Sequence, residues 1–455
     1  VLTAVLADHG EALGEHGEPT HGYFVYQSTL RIPFLLAGPG VPAGERKRGI
    51  ARTRDLLPTL LGRLGVPAPA GLDGTDLFAR PPAVESYAES VYPATFGWAP
   101  LHAFRLGRFK RIEAPRPELY DLEADPGETH NLLEQHPQEA GRLKAALATF
   151  RAQERASTAT ATDPEVAERL KALGYVASAP AVVADATARP DPKDVLPQFR
   201  AFEEASWAAA RGDHAAAVRG LAPLVAGDPR NAVFRRGLAA SLRQLGRDEE
   251  AVSVLATLDS VSAGDAVAWH ERAVSLAQAG RVEAAIESEK RAIALNASLP
   301  EPFVHLGVLE AGRGRIADAL RAFETATLLD PNNAIAWNNR GNALSALGRT
   351  SEAEDAYRKA SALAPDDPDP RNGLGVLLVR AGRLAEAEAV LVELTRNAPD
   401  LAEPHLNLAV VYARQSRLRE AVAEADRALL SAGSAELKGR ARALKQDLAR
   451  ASLSN

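Results

Sequence analysis

From about residue 196 onward, apolar positions recur at helical spacing in paired stretches separated by a tight turn, and the pattern repeats every 34 residues. A glycine followed by Arg or Asp stands at Gly212, Gly246, Gly280, Gly314, Gly348 and Gly382, with Ser416 in the same slot once more. Five residues later come Ala217, Ala251, Ala285, Ala319, Ala353, Ala387 and Ala421. Within one unit, Trp337, Leu344 and Leu347 precede Gly348, and Ala353, Tyr357, Ala360 and Leu363 follow it, as two amphipathic helices would require. The recurrent slots are small because two helices cross there. Pro229, Pro331, Pro365 and Pro399 end the second helices by withholding a backbone donor. The spacing therefore predicts seven helical hairpins over 195–431, fourteen antiparallel helices in a right-handed superhelix. A polar capping helix within 432–455 would cover the last apolar face.

A hairpin of this length with Trp or Phe, a small residue, Ala, Tyr or Phe, Ala and Pro at these offsets resembles the tetratricopeptide repeat (TPR) family. The units beginning near Pro300 and Ala334 carry the pattern most fully. The first, from about Gln198, and the last, ending near Ser431, lack an aromatic residue in the second helix. The resemblance implies an all-α TPR superhelix with a protein or peptide ligand on its concave face. Asn338, Asn339, Asn342, Asn372 and Asn407 could hydrogen-bond a peptide backbone there, although solvated polar positions on exposed helix faces are the plainer reading. Trp269 and Trp337 fill the large-residue slot and read as packing residues.

Residues 1–178 have a different texture. Short apolar runs at 1–7 and 32–37 alternate with helical stretches such as 52–64, bounded by Gly and Pro, which predicts an α/β domain. The informative run is Ala7-Asp8-His9-Gly10-Glu11-Ala12-Leu13-Gly14-Glu15-His16-Gly17, followed by Thr20-His21-Gly22. It puts a carboxylate and an imidazole side by side at the end of an apolar strand, where open α/β sheets bind ligands. Asp8 offers a hard oxygen and His9 a nitrogen to a divalent cation, a mixed set suited to a catalytic site; as composition alone, the pair is more often a surface turn.

The surrounding text resembles the sulfatase branch of the alkaline-phosphatase-like superfamily. After the Asp8-His9-Gly10-Glu11 run come Leu30-Arg31-Ile32-Pro33-Phe34, Gly38-Pro39-Gly40-Val41, Asp55-Leu56-Leu57-Pro58-Thr59-Leu60 and Phe96-Gly97-Trp98-Ala99-Pro100. Gly107-Arg108-Phe109-Lys110 and Glu118-Leu119-Tyr120-Asp121-Leu122 follow in the order of that family, and Leu170-Lys171-Ala172-Leu173-Gly174-Tyr175-Val176 resembles its last segment. The resemblance implies that Asp8 and His9 bind a divalent metal ion, calcium first, with zinc or manganese as alternatives. It also implies that His21 acts near the sulfate or phosphate group. Glu11 and His16 read as loop-structuring residues, and Leu119-Tyr120-Asp121 as a fold signature without chemistry. Asp8 and His9 should then lie at a strand end with His21 within roughly 10 Å, room for first-shell ligands and one tetrahedral anion.

The departures matter equally. The family's nucleophile, in a Cys/Ser-x-Pro-x-Arg motif, and its early pair of metal-binding aspartates do not occur in these residues. The implied function is a fragment of a metal-dependent sulfuric ester hydrolase with a TPR interaction module, itself without turnover. A phosphoethanolamine transferase-like or phosphonate/phosphate ester hydrolase of the same superfamily and a non-enzymatic TPR scaffold are the alternatives.

Composition narrows the rest. The chain has 455 residues, no cysteine and no methionine, and opens on Val1, which reads as a start inside a domain, with a GTG start codon as the alternative. With no cysteine there is no disulfide and no thiolate metal site, so the redox compartment is not encoded; a periplasmic or extracytoplasmic location is suggested by the family alone. The net charge of −6 divides evenly between the two parts, and without a basic patch nucleic acid is not an expected partner. No apolar run reaches the roughly 18 residues of a membrane span. Residues 179–194, rich in Ala, Pro and Asp, read as a linker. Residues 134–173 read as one or two helices with a break around 156–163.

Overall fold

The computed structural model describes residues 1–47, 49–79, 84–152, 189–256 and 265–453. The chain divides into two compact units, Val1–Leu238 and Ala239–Asn455. The proposed break at 156–163, the segment 170–176 and the linker as far as 188 lie outside the described residues.

The first unit holds two sheets. Strand β1, Thr3–Leu6, pairs antiparallel with β2, Phe34–Ala37, in the register Thr3↔Ala37 to Leu6↔Phe34. The second sheet is an antiparallel meander of β3 (Glu85–Ser90), β4 (Leu101–Leu106), β5 (Phe109–Glu113) and β6 (Glu118–Asp121). The β4–β5 hairpin closes on Gly107-Arg108, with Gly107 at φ 60°. A two-residue loop of this kind needs glycine at its first position, because a side chain resists that left-handed backbone. Side chains alternate across β4 with period two. Phe104 meets Phe150 of the helix Pro137–Ala152 on one face, whereas Leu101 and Ala103 join an aromatic core on the other.

That core contains Tyr23, Phe24, Val25, Tyr26, Phe96 and Trp98 together with Phe199 and Phe234 from the start of the helical array. Phe96 stacks on Trp98 at 4.6 Å, and Tyr23 stacks on Phe199 at 4.3 Å. Residues 189–194 are bonded into the same unit: Ala99 N–H donates to the Pro190 carbonyl, the Tyr23 hydroxyl to that of Pro192, and Arg116 N–H to the buried Asp191 carboxylate. The first hairpin, Leu196–Ala210 and His214–Gly227, thus belongs to the first unit.

Among the described residues fourteen helices lie between 196 and 431, and a further helix, Ala435–Leu453, follows them. Gly212, Gly246, Gly280, Gly314, Gly348 and Gly382 all adopt positive φ between successive helices, and Ser416 does the same at φ 61°. The seven alanines five residues later are all fully buried. The crossing is tight: a Cβ on Gly341 would sit 2.8 Å from the Tyr357 ring and one on Gly375 2.6 Å from Leu391, and one on Gly307 would strike the Phe323 ring. Prolines stand just beyond the helices ending at Gly227, Leu329, Leu363 and Asn397. Ala441 of the last helix packs with Leu406 and Ala428, and Leu448 joins the main core of the array. No described helix is long and apolar enough to cross a membrane.

Replacing Ala353 by Leu should destabilise the array by about 1–3 kcal/mol through overpacking. Ser416→Gly should stabilise it by about 0.5–1 kcal/mol by relieving left-handed strain, offset by the looser unfolded chain. Denaturant midpoints of the far-ultraviolet helical signal check both, and an unchanged midpoint for Ala353→Leu would contradict the crossing geometry.

Candidate functional site

The loop after β1 carries Asp8, His9, Glu11, His16 and His21. Gly10 N–H donates to the Thr29 carbonyl at 2.8 Å, and a Cβ on Gly10 would overlap the Ser28 carbonyl oxygen. Only glycine fits against that backbone. Ala12 N–H donates to Thr20 O and Gly14 N–H to Glu18 O, so the loop folds back on itself and returns residue 21 to residue 9. His16 is structural: its ring stacks on Tyr26 at 3.6 Å and its Nε2 donates to the Gly127 carbonyl.

The closure stacks two imidazoles. His9 and His21 have ring centroids 3.6 Å apart at 19°. His9 Nδ1 lies 3.0 Å from the Gly10 carbonyl, which can only accept, so Nδ1 carries the proton and Nε2 keeps a lone pair when the ring is neutral. That Nε2 lies 3.6 Å from Asp8 Oδ1, and the Asp8 carboxylate is 73% exposed. Asp8 Oδ1 also accepts His9 N–H at 3.0 Å. His21 Nδ1 donates to Glu11 Oε1 at 2.9 Å, fixing its tautomer and leaving Nε2 outward. His9, Glu11 and His21 each offer one ligand atom, all within 4.8 Å of one another. The mixed oxygen and nitrogen donors fit a divalent cation; imidazole nitrogen is a donor that zinc takes, whereas calcium takes oxygen ligands.

One buried and one half-buried carboxyl stand behind this loop. Glu18 is 1% exposed and accepts Tyr23 N–H at 2.7 Å and Phe24 N–H at 3.1 Å. Burial outweighs those bonds and pushes its pKa up to about 7, with Glu203 and Glu11 adding repulsion. Glu203, on the helix Leu196–Ala210, is also held above the usual carboxylate range by burial, against the attraction of His21. The same helix anchors the loop, since Arg200 Nε donates to the Gly17 carbonyl at 2.7 Å. On the far side, fully buried Lys110 donates to the Val25 carbonyl and to Glu128, each at 2.6 Å, and burial lowers its pKa against the pull of Glu128.

Asp8, His9 and His21 thus occupy one surface loop, with Asp8 two and His9 three residues past the end of β1. Glu11, read from sequence as a loop-structuring residue, also holds His21. Glu18 and Glu203 were not singled out. Glu18 had no signal beyond its place between Gly17 and Pro19, and the approach of Glu203 is a tertiary event. In the repeats, Trp337 Nε1 donates to the Pro331 carbonyl and its ring packs on the core, while Arg272 and Arg291 lie over Trp269. Asn407 donates to Asn372, and Asn342 accepts from Tyr357 OH.

The sulfatase family model matches residues 1–66, and two tetratricopeptide repeat models match residues 306–368 and 344–405. The chain thus carries a sulfatase-family segment at its N-terminus and TPR repeats in its C-terminal portion. A Delta 4,5-hexuronate-2-O-sulfatase of Bacteroides thetaiotaomicron is 31% identical over 150 residues, 29% of this chain and 30% of that protein. Choline-sulfatase of Rhizobium meliloti is 34% identical over 140 residues, 29% and 27% of the two chains. Arylsulfatase K of Mus musculus is 27% identical over 157 residues, 30% and 28% of the two chains. The chain therefore spans under a third of the length of these relatives. Among solved structures, a tetratricopeptide repeat protein from Parabacteroides merdae covers 55% of this chain and 98% of its own at 17% identity, TM-score 0.45. The TPR protein YrrB covers 41% of this chain and 97% of its own at 22% identity, TM-score 0.36.

Because Glu18 is protonated more readily folded than unfolded, the stability it contributes is present in full at acid pH. It should fall as pH rises from the ordinary carboxylate range to about 7, then level off. Unfolding midpoints across that window should slope downward in the parent and flatten in Glu18→Gln; parallel slopes in both chains would refute the assignment.

Proposed function

We propose that the β1 loop is one side of the active site of a metal-dependent sulfuric ester hydrolase, and that the repeats serve as its protein-interaction module. The observation that carries this reading is the convergence of His9, Glu11 and His21, with Asp8 beside His9, inside the stretch similar to sulfatases. In this reading Asp8 and His9 hold the divalent ion, His9 through the Nε2 lone pair that the Gly10 carbonyl leaves free. The ion, when bound, would withdraw charge from an ester oxygen and favour the reactive alkoxide.

His21 is the proton-handling residue. Its Nδ1–H is held by Glu11, so Nε2 is the atom that would give a proton to, or orient, the leaving-group oxygen. Glu11 would stabilise the charged ring while that happens, as a carboxylate behind an imidazole does. Glu18 and Tyr23 would keep the loop from opening, since the buried carboxyl ties residues 18, 23 and 24 together.

A peptide or protein partner on the repeat surface is part of the same proposal. Asn338 and Asn339 are the residues assigned to it, because Asn342, Asn372 and Asn407 are already engaged inside the array.

The chain lacks a Cys/Ser-x-Pro-x-Arg nucleophile motif, so these 455 residues alone should not turn over an aryl sulfate. In a version of the protein that includes the nucleophile, Asp8→Ala should lower kcat/KM by several powers of ten. His21→Ala should cost about 10²–10⁴. A truncation after Gly246 keeps Phe199 and Phe234 in the aromatic core and should leave small-substrate kinetics nearly unchanged. Near-normal turnover by Asp8→Ala would eliminate the metallohydrolase reading.

A further inference from the structure

The position that faces the small residue of each hairpin is buried and apolar in most repeats. It is Leu221, Leu255, Phe323, Tyr357, Leu391 and Ala425, spaced by 34 residues or its multiple. In the third repeat the same position is Glu289, which is 0% exposed. A carboxylate in that column is costly unless a positive charge meets it.

What meets it is a pair of imidazoles from the two flanking helices. Glu289 lies on Val282–Leu295, His270 on Ala266–Gln278 and His305 on Pro300–Gly312. His270 Nδ1 and His305 Nδ1 both contact Glu289 Oε1, at 2.8 and 2.5 Å. The rings meet edge to face, centroids 5.8 Å apart at 87°, so the nitrogens converge on one point. The second oxygen, Oε2, is buried with no hydrogen-bond partner among the described residues. Glu271 and Glu301 add further negative potential at His270.

We propose that His270, Glu289 and His305 form a binding site for a divalent transition-metal ion of the zinc class. Two imidazoles and one carboxylate are a donor set that zinc accepts, leaving a fourth position for water or another ligand. The three ligand atoms lie within 4.8 Å of one another. Bonds of about 2.0–2.2 Å would spread them to about 3.3 Å, a small opening from the present contacts. The bare Oε2 gains a partner if the carboxylate turns toward the ion. His270 and His305 are 19% and 21% exposed, so the ion has a path from solvent to the buried carboxylate.

A second His–Glu pair shows what a purely structural version looks like. His405 and Glu424 have the same 19-residue spacing and meet at 2.6 Å. There His405 Nε2 is taken by the Pro399 carbonyl, and Arg427 supplies the countercharge to Glu424 at 2.5 Å. Glu289 has no arginine or lysine partner among the described residues and has a second imidazole in its place.

The test uses the full 455-residue chain, stripped with a chelator and titrated with Zn²⁺ at neutral pH, in a His9→Ala/His21→Ala background that removes the other cluster. That chain should bind one Zn²⁺, and Co²⁺ in its place should give a visible absorption band. Glu289→Leu restores the residue found at 221, 255 and 391, so it should keep the helical circular dichroism. It should weaken binding by more than the roughly 100-fold cost of losing a supporting outer group. His305→Ala should weaken it likewise, and bound Zn²⁺ should raise the unfolding temperature of the parent but not of Glu289→Leu. Failure of the background chain to bind, or equal binding by Glu289→Leu, would overturn the proposal.

Discussion

Tyr23 is the residue on which the first unit turns. Its ring is fully buried against Phe199, its N–H is held by the carboxyl of Glu18, and its hydroxyl reaches the carbonyl of Pro192. These contacts join the β1 loop to a stretch distant in sequence, the entry to the helical array and the array's first helix. A stacked aromatic pair is worth about 0.5–1.5 kcal/mol beyond the area it buries. The larger effect is geometric, because residue 23 cannot move without releasing the loop that returns His21 to His9. The first hairpin is therefore part of the scaffold of the candidate site. The linker read from residues 179–194 ends, where it is described, in ordered bonds from Pro190, Asp191 and Pro192.

The repeats were legible because their physics is periodic. A tight turn, a crossing and a helix stop each demand a residue type at a fixed offset, so Gly280, Ala285 and Pro331 could be read without coordinates. Ser416 kept its slot with the wrong chemistry and still adopts φ 61°, which shows that the packed array on either side dictates the turn. Glu289 was not legible for the opposite reason. Its identity reads as an ordinary solvated charge of an amphipathic helix, and only registration against Phe323 and Tyr357 places it in the buried column.

The candidate site was legible in its linear part. Asp8 and His9 are neighbours in sequence, and the apolar run before them marked a strand end; β1 is indeed followed by them, although its partner β2 runs antiparallel. The pairing of Glu11 with His21 depended on a loop folding back through Ala12–Thr20 and Gly14–Glu18 bonds. No spacing rule announces such a closure. The approach of Glu203 from a helix nearly two hundred residues away had no local signature at all.

The chain contains the same donor trio twice, two imidazoles and a carboxylate, and the difference between the two lies in solvent. Around His21 and Glu11 the side chains are 41% and 46% exposed, so water can solvate the carboxylate and the trio is stable without an added charge. Glu289 itself is fully buried, and its carboxylate lies in a medium where electrostatic terms are several times larger. Exposure would let the first trio exchange ligands and protons at little cost, as the proposed reacting centre requires. Burial makes the second trio demand a countercharge, as a structural centre does. Under these two proposals, one donor set would serve for chemistry or for cohesion according to the dielectric around its carboxylate.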